Sequence, residues 1–449
     1  MDVQFSSLSK ELTKKIDDKE KKSNGIYFTP KNIVIDMINI CKKHNKKIKR
    51  VLEPSCGSCQ VIDEVDKAFE DIQIDGIEFN NTIFTEIKAL EHTNNTNLMN
   101  NDYLKYTPEE KYDLIIGNPP YFVMPKKDVE EKYHQYFNGR PNIFVLFIIK
   151  SMFELKMNGI LAFVLPKNFL NCNYYNELRH YIWFHFKIVS IKDHSKEKYI
   201  ETYQDTIVLI IQRKKNRPIN IKYVLKFGGN TIFNTKEGIK KLKEYYKDAT
   251  TLKNMNFEVK VGNVVWNQVK DKLTDDNTKT RLIYSSDIID NKLSIKEYKN
   301  PAKKNFIDYE IETQYENAAI YIQYIYRKNM GHLTEHLNRQ VKKPSKKTNK
   351  IQKKGNNDLL LVVNRGYGKG KYKFSYCLID IEKEYLVENH LICIKSLEEL
   401  ERNVLLEKYK LIINSLKSEK TKSFIELYCG NNALNTKELA EVVPIYINK

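Results

Sequence analysis

The tetrapeptide Asn118-Pro119-Pro120-Tyr121 directly follows the apolar run Tyr112-Asp113-Leu114-Ile115-Ile116-Gly117. Its residue types suit one difficult reaction. An exocyclic amino group on a nucleobase is a poor nucleophile, because its lone pair is delocalised into the ring. Two acceptors aimed at its N–H bonds can draw that lone pair out of conjugation. The Asn118 side-chain carbonyl offers one acceptor and the Pro119 backbone carbonyl the other. Consecutive prolines restrict φ, so both acceptors stand in place before a substrate arrives. Tyr121 adds a flat face on which a base can stack. A Pro-Pro turn after a buried strand also serves as plain loop punctuation, so the surrounding pattern has to decide.

That pattern alternates. Thr29-Pro30 opens a helix over Lys31 to Ile40. A short strand over Lys49 to Glu53, a helix over Gln60 to Phe69, a strand over Gln73 to Glu78 and a helix over Thr82 to Glu91 follow. Tyr112 to Gly117 is a third strand, Asn142 to Lys156 a strongly apolar helix, and Ile160 to Leu165 another strand. A helix around Tyr174 to Phe184 and strands over Ile188 to Ile191 and Thr206 to Gln212 complete the series. Strands and helices in this order predict a mainly parallel sheet covered on both faces. Ligands of such sheets sit outside the carboxyl ends of the strands, where most of the chemistry-bearing motifs fall. Residues 1–22 read as a polar helix or arm. The run Arg213-Lys214-Lys215-Asn216-Arg217-Pro218 reads as a boundary, which divides the chain into domains 1–215 and 216–449. Beyond it the alternation fades.

Composition narrows the setting. A chain of 449 residues with 41% hydrophobic content has ample material for a core and two to three domains. The formal charge of +18 favours a polyanionic partner, nucleic acid first. Lysine-rich solvated surface is the plainer reading of the same number. Seven cysteines without a signal-peptide pattern point to free thiols in a reducing, intracellular setting. That setting is the cytoplasm of a prokaryote, or the host cell of a virus. The longest apolar stretch, Ile143 to Ile149, is too short to span a bilayer.

Read in order, roughly residues 23–212 resemble the gamma-class amino-methyltransferases of DNA, which methylate adenine N6 using S-adenosylmethionine. Ser23-Asn24-Gly25-Ile26-Tyr27-Phe28-Thr29-Pro30 resembles the N-terminal cofactor motif of that class, with Thr29 toward the methionine end; Thr29 also reads as a helix N-cap. Leu52-Glu53-Pro54-Ser55-Cys56-Gly57-Ser58-Cys59 resembles its glycine-rich turn, with Glu53 for the cofactor ammonium and Ser55, Cys56 and Gly57 lining the approach. Cys59 stands where a second glycine is common, and the Cys-x-x-Cys spacing also fits a redox pair or half a zinc site. No second pair completes a metal site, so no metal is expected. Glu78 suits the two ribose hydroxyls, Asp102 the adenine amino group, with Tyr103 near that ring and Pro120 beside the cofactor. The class carries an aromatic residue that stacks on the flipped base opposite the catalytic tyrosine. Tyr199 is the first choice for it here and Tyr203 the second.

The resemblance implies an α/β fold: a Rossmann-like S-adenosylmethionine-dependent methyltransferase domain followed by a mixed α/β DNA-recognition domain. Asn118, Pro119 and Tyr121 would be the catalytic set. The base, inaccessible inside a duplex, would be flipped between Tyr121 and Tyr199 or Tyr203. The segments Val261-Gly262-Asn263-Val264-Val265-Trp266-Asn267 and Asn364-Arg365-Gly366-Tyr367-Gly368 resemble parts of the specificity domain of some members. Arg365, Tyr367, Lys369 and Lys371 are the DNA-contacting candidates, and the basic run from Lys342 to Lys354 suits phosphates or a solvated loop. Double-stranded DNA is the expected partner, a single chain the working unit, and a cognate restriction endonuclease a separate protein. Cytosine N4, RNA and protein glutamine are rival substrates. A catalytically inactive DNA-binding protein is another rival. A fused nuclease built on Asp290, Glu297 and Lys299 is a further alternative that lacks room for its own domain.

Overall fold

The structure, a computed structural model, describes residues 4–195, 197, 199–200, 205–216, 218–298, 300–308, 356, 358–365, 374–429 and 434–447. Tyr203, Lys299, Tyr367, Lys369, Lys371 and the basic run from Lys342 to Lys354 lie outside them. The chain divides into two compact units, residues 1–247 with 423–431, and residues 248–422 with 432–449.

The first unit opens with helices α1 (Ser7–Lys15), α2 (Asp18–Asn24) and α3 (Lys31–His44). Then β1 (Arg50–Glu53), α4 (Gln60–Ala68), β2 (Gln73–Glu78), α5 (Asn81–Ile87), β3 (Asn95–Asn100) and β4 (Tyr112–Gly117) alternate. They are followed by α6 (Ile143–Glu154), β5 (Leu155–Pro166), α7 (Asn176–His185), β6 (Phe186–Asp193) and β7 (Thr206–Arg213). The seven strands form one sheet in the order β3-β2-β1-β4-β5-β7-β6. All neighbours pair parallel except at β7, which runs against both β5 and β6. The chain leaves β1 toward β2 and returns on the other side as β4. The carboxyl ends of β1 and β4 therefore frame a crevice where the direction of winding reverses.

The strands alternate between two cores, as a period of two requires. Leu114, Ile116, Ile160 and Ala162 face the core shared with α3, α4 and α5. Tyr112, Ile115, Leu161 and Phe163 face the core of α6 and α7. Helix α6 is apolar almost all round, so it can exist only as a buried element; Asn142 caps it by accepting from Phe144 N. Its expected end at Lys156 shifts to Glu154 because β5 starts at once, at Leu155, with an irregular register opposite Tyr112 and Leu114. Asn158 takes a positive φ of 65° inside that strand, which is why Gly159 looked like its beginning. Helix α5 stops at Ile87 rather than Glu91, since the apolar residues beyond it, Ala89 and Leu90, are exposed rather than part of the core. Strand β3 was not foreseen. Its sequence, Asn-Thr-Asn-Leu-Met-Asn, lacks an apolar run because it is an edge strand paired on one side only.

After β5 the chain turns through residues 167–175, and one side chain holds that turn. Arg179 on α7 is wholly buried. It donates to the carbonyls of Phe169 (3.0 Å), Cys172 (2.8 Å), Asn171 (3.1 Å) and Thr231 (2.5 Å).

The second unit carries a four-stranded antiparallel sheet in the order Phe257–Val261, Leu391–Ser396, Leu360–Asn364, Tyr376–Ile379. A second sheet of short strands joins Leu273–Thr274, Phe306–Ile307, Thr280–Ile283 and Tyr385–Val387. Helices Arg402–Lys417 and Thr436–Glu441 belong to it as well, giving a mixed α/β architecture.

Replacing Arg179 by Leu removes a donor from two buried carbonyls, those of Phe169 and Thr231, and from two partly buried ones, those of Asn171 and Cys172. Urea denaturation of Arg179→Leu is expected to show a loss of roughly 3 kcal/mol or more, since each unsatisfied buried polar group costs about 1–3 kcal/mol; an unchanged midpoint would contradict the role assigned to it.

Candidate cofactor cleft and catalytic turn

A cleft of about 290 Å³ opens at the carboxyl ends of β1, β2 and β4. Ten residues singled out from the sequence line it: Thr29, Glu53, Ser55, Cys56, Gly57, Glu78, Asp102, Tyr103, Asn118 and Pro120. The strand ends explain the convergence. Glu53 closes β1, Glu78 closes β2, and Asn118 follows β4.

The two glutamates differ in what they hold. Glu78 accepts from Gly57 N at 2.8 Å and from Asn80 N at 2.7 Å. Its position is thereby fixed, and each carboxylate oxygen keeps a lone pair for a hydroxyl. Burial raises its pKa despite these donors. Glu53 is 3% exposed, and its Oε2 is buried without a hydrogen-bond partner among the described residues. Burial, and after it the charges of Cys59, Glu78 and Asp63, push its pKa well above the carboxylate range. A buried acid lacking a cation is the form expected of an ammonium site, so the residues present fit an amino-acid cofactor with a ribose.

The turn between them keeps its tightness in spite of Cys59. That residue adopts the left-handed conformation, φ 60° and ψ 12°, which a glycine would take there, and begins α4. Cys56 and Cys59 are both buried free thiols, and among the described residues no group of three or more His, Cys, Asp or Glu could hold a metal. A hydrogen bond with the Cys59 thiol, and after it burial, raise Cys56 well above its ordinary range, which makes a reactive thiolate unfavourable.

Asp102 accepts from Leu104 N at 3.0 Å, so it serves a turn as well as facing the cleft. Tyr103 is buried beneath it. Its hydroxyl donates to Glu154 (2.7 Å) and lies 2.9 Å from Ser151 Oγ. Thr29 lines the cleft, but α3 starts at Lys31 behind Pro30 without a side-chain cap, so the N-cap reading of Thr29 is not realised.

The catalytic turn is tied from three sides. Asn118 Nδ2 donates to the Tyr27 carbonyl at 3.0 Å, and Ser55 Oγ donates to the Asn118 carbonyl at 3.1 Å. The Tyr121 hydroxyl lies 2.6 Å from Asn118 Oδ1 and 2.9 Å from Val164 O. Its one proton is shared by two acceptors. Burial, and secondarily the Tyr199 phenol, push Tyr121 well above the ordinary tyrosine range, so that proton stays on. The Tyr121 ring meets Phe144 edge-on, with centroids 6.0 Å apart. Tyr199 packs against the core of α3 and α4, and its hydroxyl lies 2.9 Å from Thr206 Oγ1.

Several residues at the cleft carried no role in the sequence reading. Phe79 and Asn80 directly follow the acid that ends β2, the place where ligands of such sheets sit, and this was the signal available for them. Phe79 is 71% exposed. Asn80 caps α5 by accepting from Ile83 N, and its Nδ2 donates to Glu20 Oε1 at 2.7 Å. Glu20 lies on α2, whose end, Asn24 and Gly25, forms the facing wall. The pair therefore joins two elements that contribute to the wall of the cleft. Gly25 is required as such: φ is 64°, and a Cβ there would stand 2.4 Å from Tyr121 N.

In the second unit, the two segments picked out from the sequence meet at one turn. Gly262 N donates to Leu391 O at 2.8 Å and Asn389 N to Val264 O at 2.9 Å. Arg365 N donates to His390 O at 2.9 Å, and the Arg365 side chain is exposed.

The sheet order and this cleft define an S-adenosylmethionine-dependent methyltransferase with a Rossmann-like core. Residues 4–200 match the Eco57I restriction-modification methylase family. The Type II methyltransferase M.CvrRI of Paramecium bursaria Chlorella virus XZ-6E is 24% identical over 98% of this chain and 99% of its own. Modification methylase CviBIII of Paramecium bursaria Chlorella virus NC1A is 30% identical over 49% of this chain and 57% of its own. Type II methyltransferase M.AccI of Acinetobacter calcoaceticus is 31% identical over 39% of this chain and 34% of its own.

The folded-state pKa of Glu53 lies above its unfolded value, so its contribution to stability is full below the ordinary carboxylate pKa and is lost as pH rises through the raised one. Glu53→Gln should therefore stabilise the cofactor-free protein by roughly 1–3 kcal/mol near pH 8, with the gain vanishing near pH 4. The same change should weaken S-adenosylmethionine binding at least about tenfold and abolish the proton release that accompanies binding near neutral pH, as calorimetry in two buffers would report. Glu20→Ala should speed cofactor dissociation about threefold to tenfold in stopped flow, while Glu20→Gln, which keeps an acceptor, should not.

Proposed function

We propose that this chain is a site-specific DNA methyltransferase of the restriction–modification type that transfers a methyl group to the N6 amino group of a flipped adenine in duplex DNA. The observation that carries the reading is the Asn118 side chain. Its Nδ2 is committed to the Tyr27 carbonyl, so the amide presents Oδ1, an acceptor, beside the cleft. An acceptor is what an exocyclic amine needs. Asn118 Oδ1 has capacity left, because the Tyr121 proton is divided with Val164 O.

S-adenosylmethionine supplies an electrophilic methyl group on a good leaving group when bound. Glu53 would hold its ammonium and Glu78 its ribose hydroxyls, with Phe79 and Ile83 lining the same cleft. Asn118 Oδ1 and the Pro119 carbonyl accept from the target amine, which orients it and restores its nucleophilicity. The proton leaves after the amine has become cationic, so the turn provides positioning in place of a strong base. Tyr121 and Tyr199, or Tyr203, stack on the flipped base. Asparagine at the head of the turn, rather than serine, supports adenine over cytosine.

Residues 216–449 would read the target sequence, with Arg365, Tyr367, Lys369 and Lys371 toward the duplex. The full-length likeness to M.CvrRI, named as a Type II methyltransferase, supports a chain that carries catalysis and recognition together. Duplex DNA is then the partner, one chain the working unit, and any cognate restriction endonuclease a separate protein.

The test is transfer from labelled S-adenosylmethionine to unmethylated duplex DNA, with the digested nucleosides separated. Label is expected in N6-methyladenine. Asn118→Ala should lower turnover by about 100-fold or more while leaving cofactor affinity within about twofold. Label in N4-methylcytosine would overturn the choice of base. Cofactor binding with label only in RNA or protein would overturn DNA as substrate.

A further inference from the structure

The end of the central sheet remote from the cofactor cleft carries a basic groove. Register places it. Glu53 and Asn118 mark the cleft end of β1 and β4. On β7, Thr206 pairs with Pro166 at that end, whereas Gln212 pairs with Ile160 at the other. Lys187 of β6 pairs with Gln212. Gln212, 2% exposed, donates to the His44 carbonyl at 3.2 Å and to the Asn158 carbonyl at 2.9 Å, tying the end of α3 to β5. Beside this knot is a concave surface of about 340 Å³ lined by Asn158, Lys187, Lys214, Lys215 and Pro218 among others.

The groove gathers positive charge without compensation. Lys187, Lys214 and Lys215, which line it, and Lys43, whose charge acts on the adjacent His44, make no ion pair among the described residues. Lys156 nearby does otherwise, with its Nζ 3.5 Å from Asp113. Lys214 Nζ donates to Asn158 Oδ1 at 3.0 Å, a neutral acceptor that orients the ammonium and leaves its charge in place. His44 reports the resulting field. After burial, Lys187, Lys214 and Lys43 lower its pKa.

We propose that this groove binds the phosphate backbone of a second duplex segment, apart from the one whose base enters the cleft. The assignment rests on the DNA reading above only for the identity of the partner; the groove itself stands on charge and shape. Converging lysines with no carboxylate among them gain most from a polyanion, because neutralised phosphates release their counterions. The groove faces away from the cleft, so one short duplex cannot serve both. DNA bends over a length of about 150 base pairs, so a distant stretch of the same molecule can reach it. Such a contact would hold the enzyme on long DNA between target sites.

The protein is first saturated with an unlabelled target duplex of about 20 base pairs, and a fluorescent non-target duplex of the same length is then titrated in at low salt. The wild-type chain is expected to take up the second duplex, with an affinity that falls steeply with salt. In the variant Lys43→Gln, Lys187→Gln, Lys214→Gln, Lys215→Gln that uptake should weaken roughly tenfold or more and its log–log salt slope should shrink by up to about 3.6, near 0.9 per lost phosphate contact. The four Lys→Arg changes should restore it. Methylation of the short target should be unchanged in the Gln variant, which reports that it is folded. Equal uptake by the Gln variant would overturn the proposal, as would displacement of the labelled duplex by inorganic phosphate at the same concentration of phosphate groups. If the wild-type chain methylates no DNA, the functional reading fails, while uptake of the labelled duplex still reports on the groove.

Discussion

The hydrogen bond from Asn118 Nδ2 to the Tyr27 carbonyl joins segments 91 residues apart. It decides which atom of the amide faces a substrate. An unrestrained carboxamide can present a donor or an acceptor, and only the acceptor helps an amine react. The bond needs the backbone of residues 25–28 to lie against the turn, which Gly25 permits by having no Cβ where Tyr121 N stands. The residue that follows that backbone is tied to the start of α4, where Gln60 Nε2 donates to the Thr29 carbonyl, and the first helix is tied to the same place: Ser6 N donates to Gln60 Oε1 at 2.7 Å, and Ser9 and Ser58 meet through their hydroxyls at 2.7 Å. The N-terminal helices, the cofactor turn and the catalytic turn thus form one construction, and a disturbance in any of them is felt at Asn118.

How much of this could be read from the chain depends on the physics of each part. Strand Tyr112–Gly117 and its neighbours announced themselves because a sheet buried on both faces needs near-continuous apolar runs. The acids at the ends of β1 and β2 stood out because a charged residue closing such a run has few reasons to be there. Strand β3 carried no such signal, since an edge strand with polar residues pairs through its backbone alone. The Glu20–Asn80 pair was invisible for a different reason. It joins residues 60 apart, and sequence spacing carries no information about which side chains face each other at that distance. Cys59 is the instructive middle case. The departure from glycine was visible, yet only the backbone shows that a cysteine can accept φ 60° there when the turn is otherwise packed.

The second unit was far less readable. Its strands are mostly two to six residues long, and two of its small sheets draw on segments more than a hundred residues apart, as when Thr280–Ile283 pairs with Tyr385–Val387. Short non-local strands leave little periodicity to detect. The segments noticed for their resemblance, around Gly262 and Arg365, nevertheless converge on the turn at residues 387–391. Gly262 is the physical reason. A Cβ there would stand 2.2 Å from the Glu388 carbonyl, so the close backbone approach that joins the segments admits no other residue.

Two acceptors in the catalytic unit stand short of partners. Glu53 Oε2 has none among the described residues, and Asn118 Oδ1 has half a share of one proton. Buried acceptors left in this state are costly, and stability alone would remove them. Their polarity says what relieves the cost: a cation at Glu53 and an N–H donor at Asn118. In the proposed reaction these are the ammonium of the methyl donor and the amine of its acceptor, and both deficits are met only when both substrates are present. Ser55 stands between the two sites in sequence and in space, donating to the Asn118 carbonyl from the loop that carries Glu53. Occupation of the first site therefore bears directly on the geometry of the second. The same two residues that weaken the empty fold are the ones through which binding can be turned into alignment.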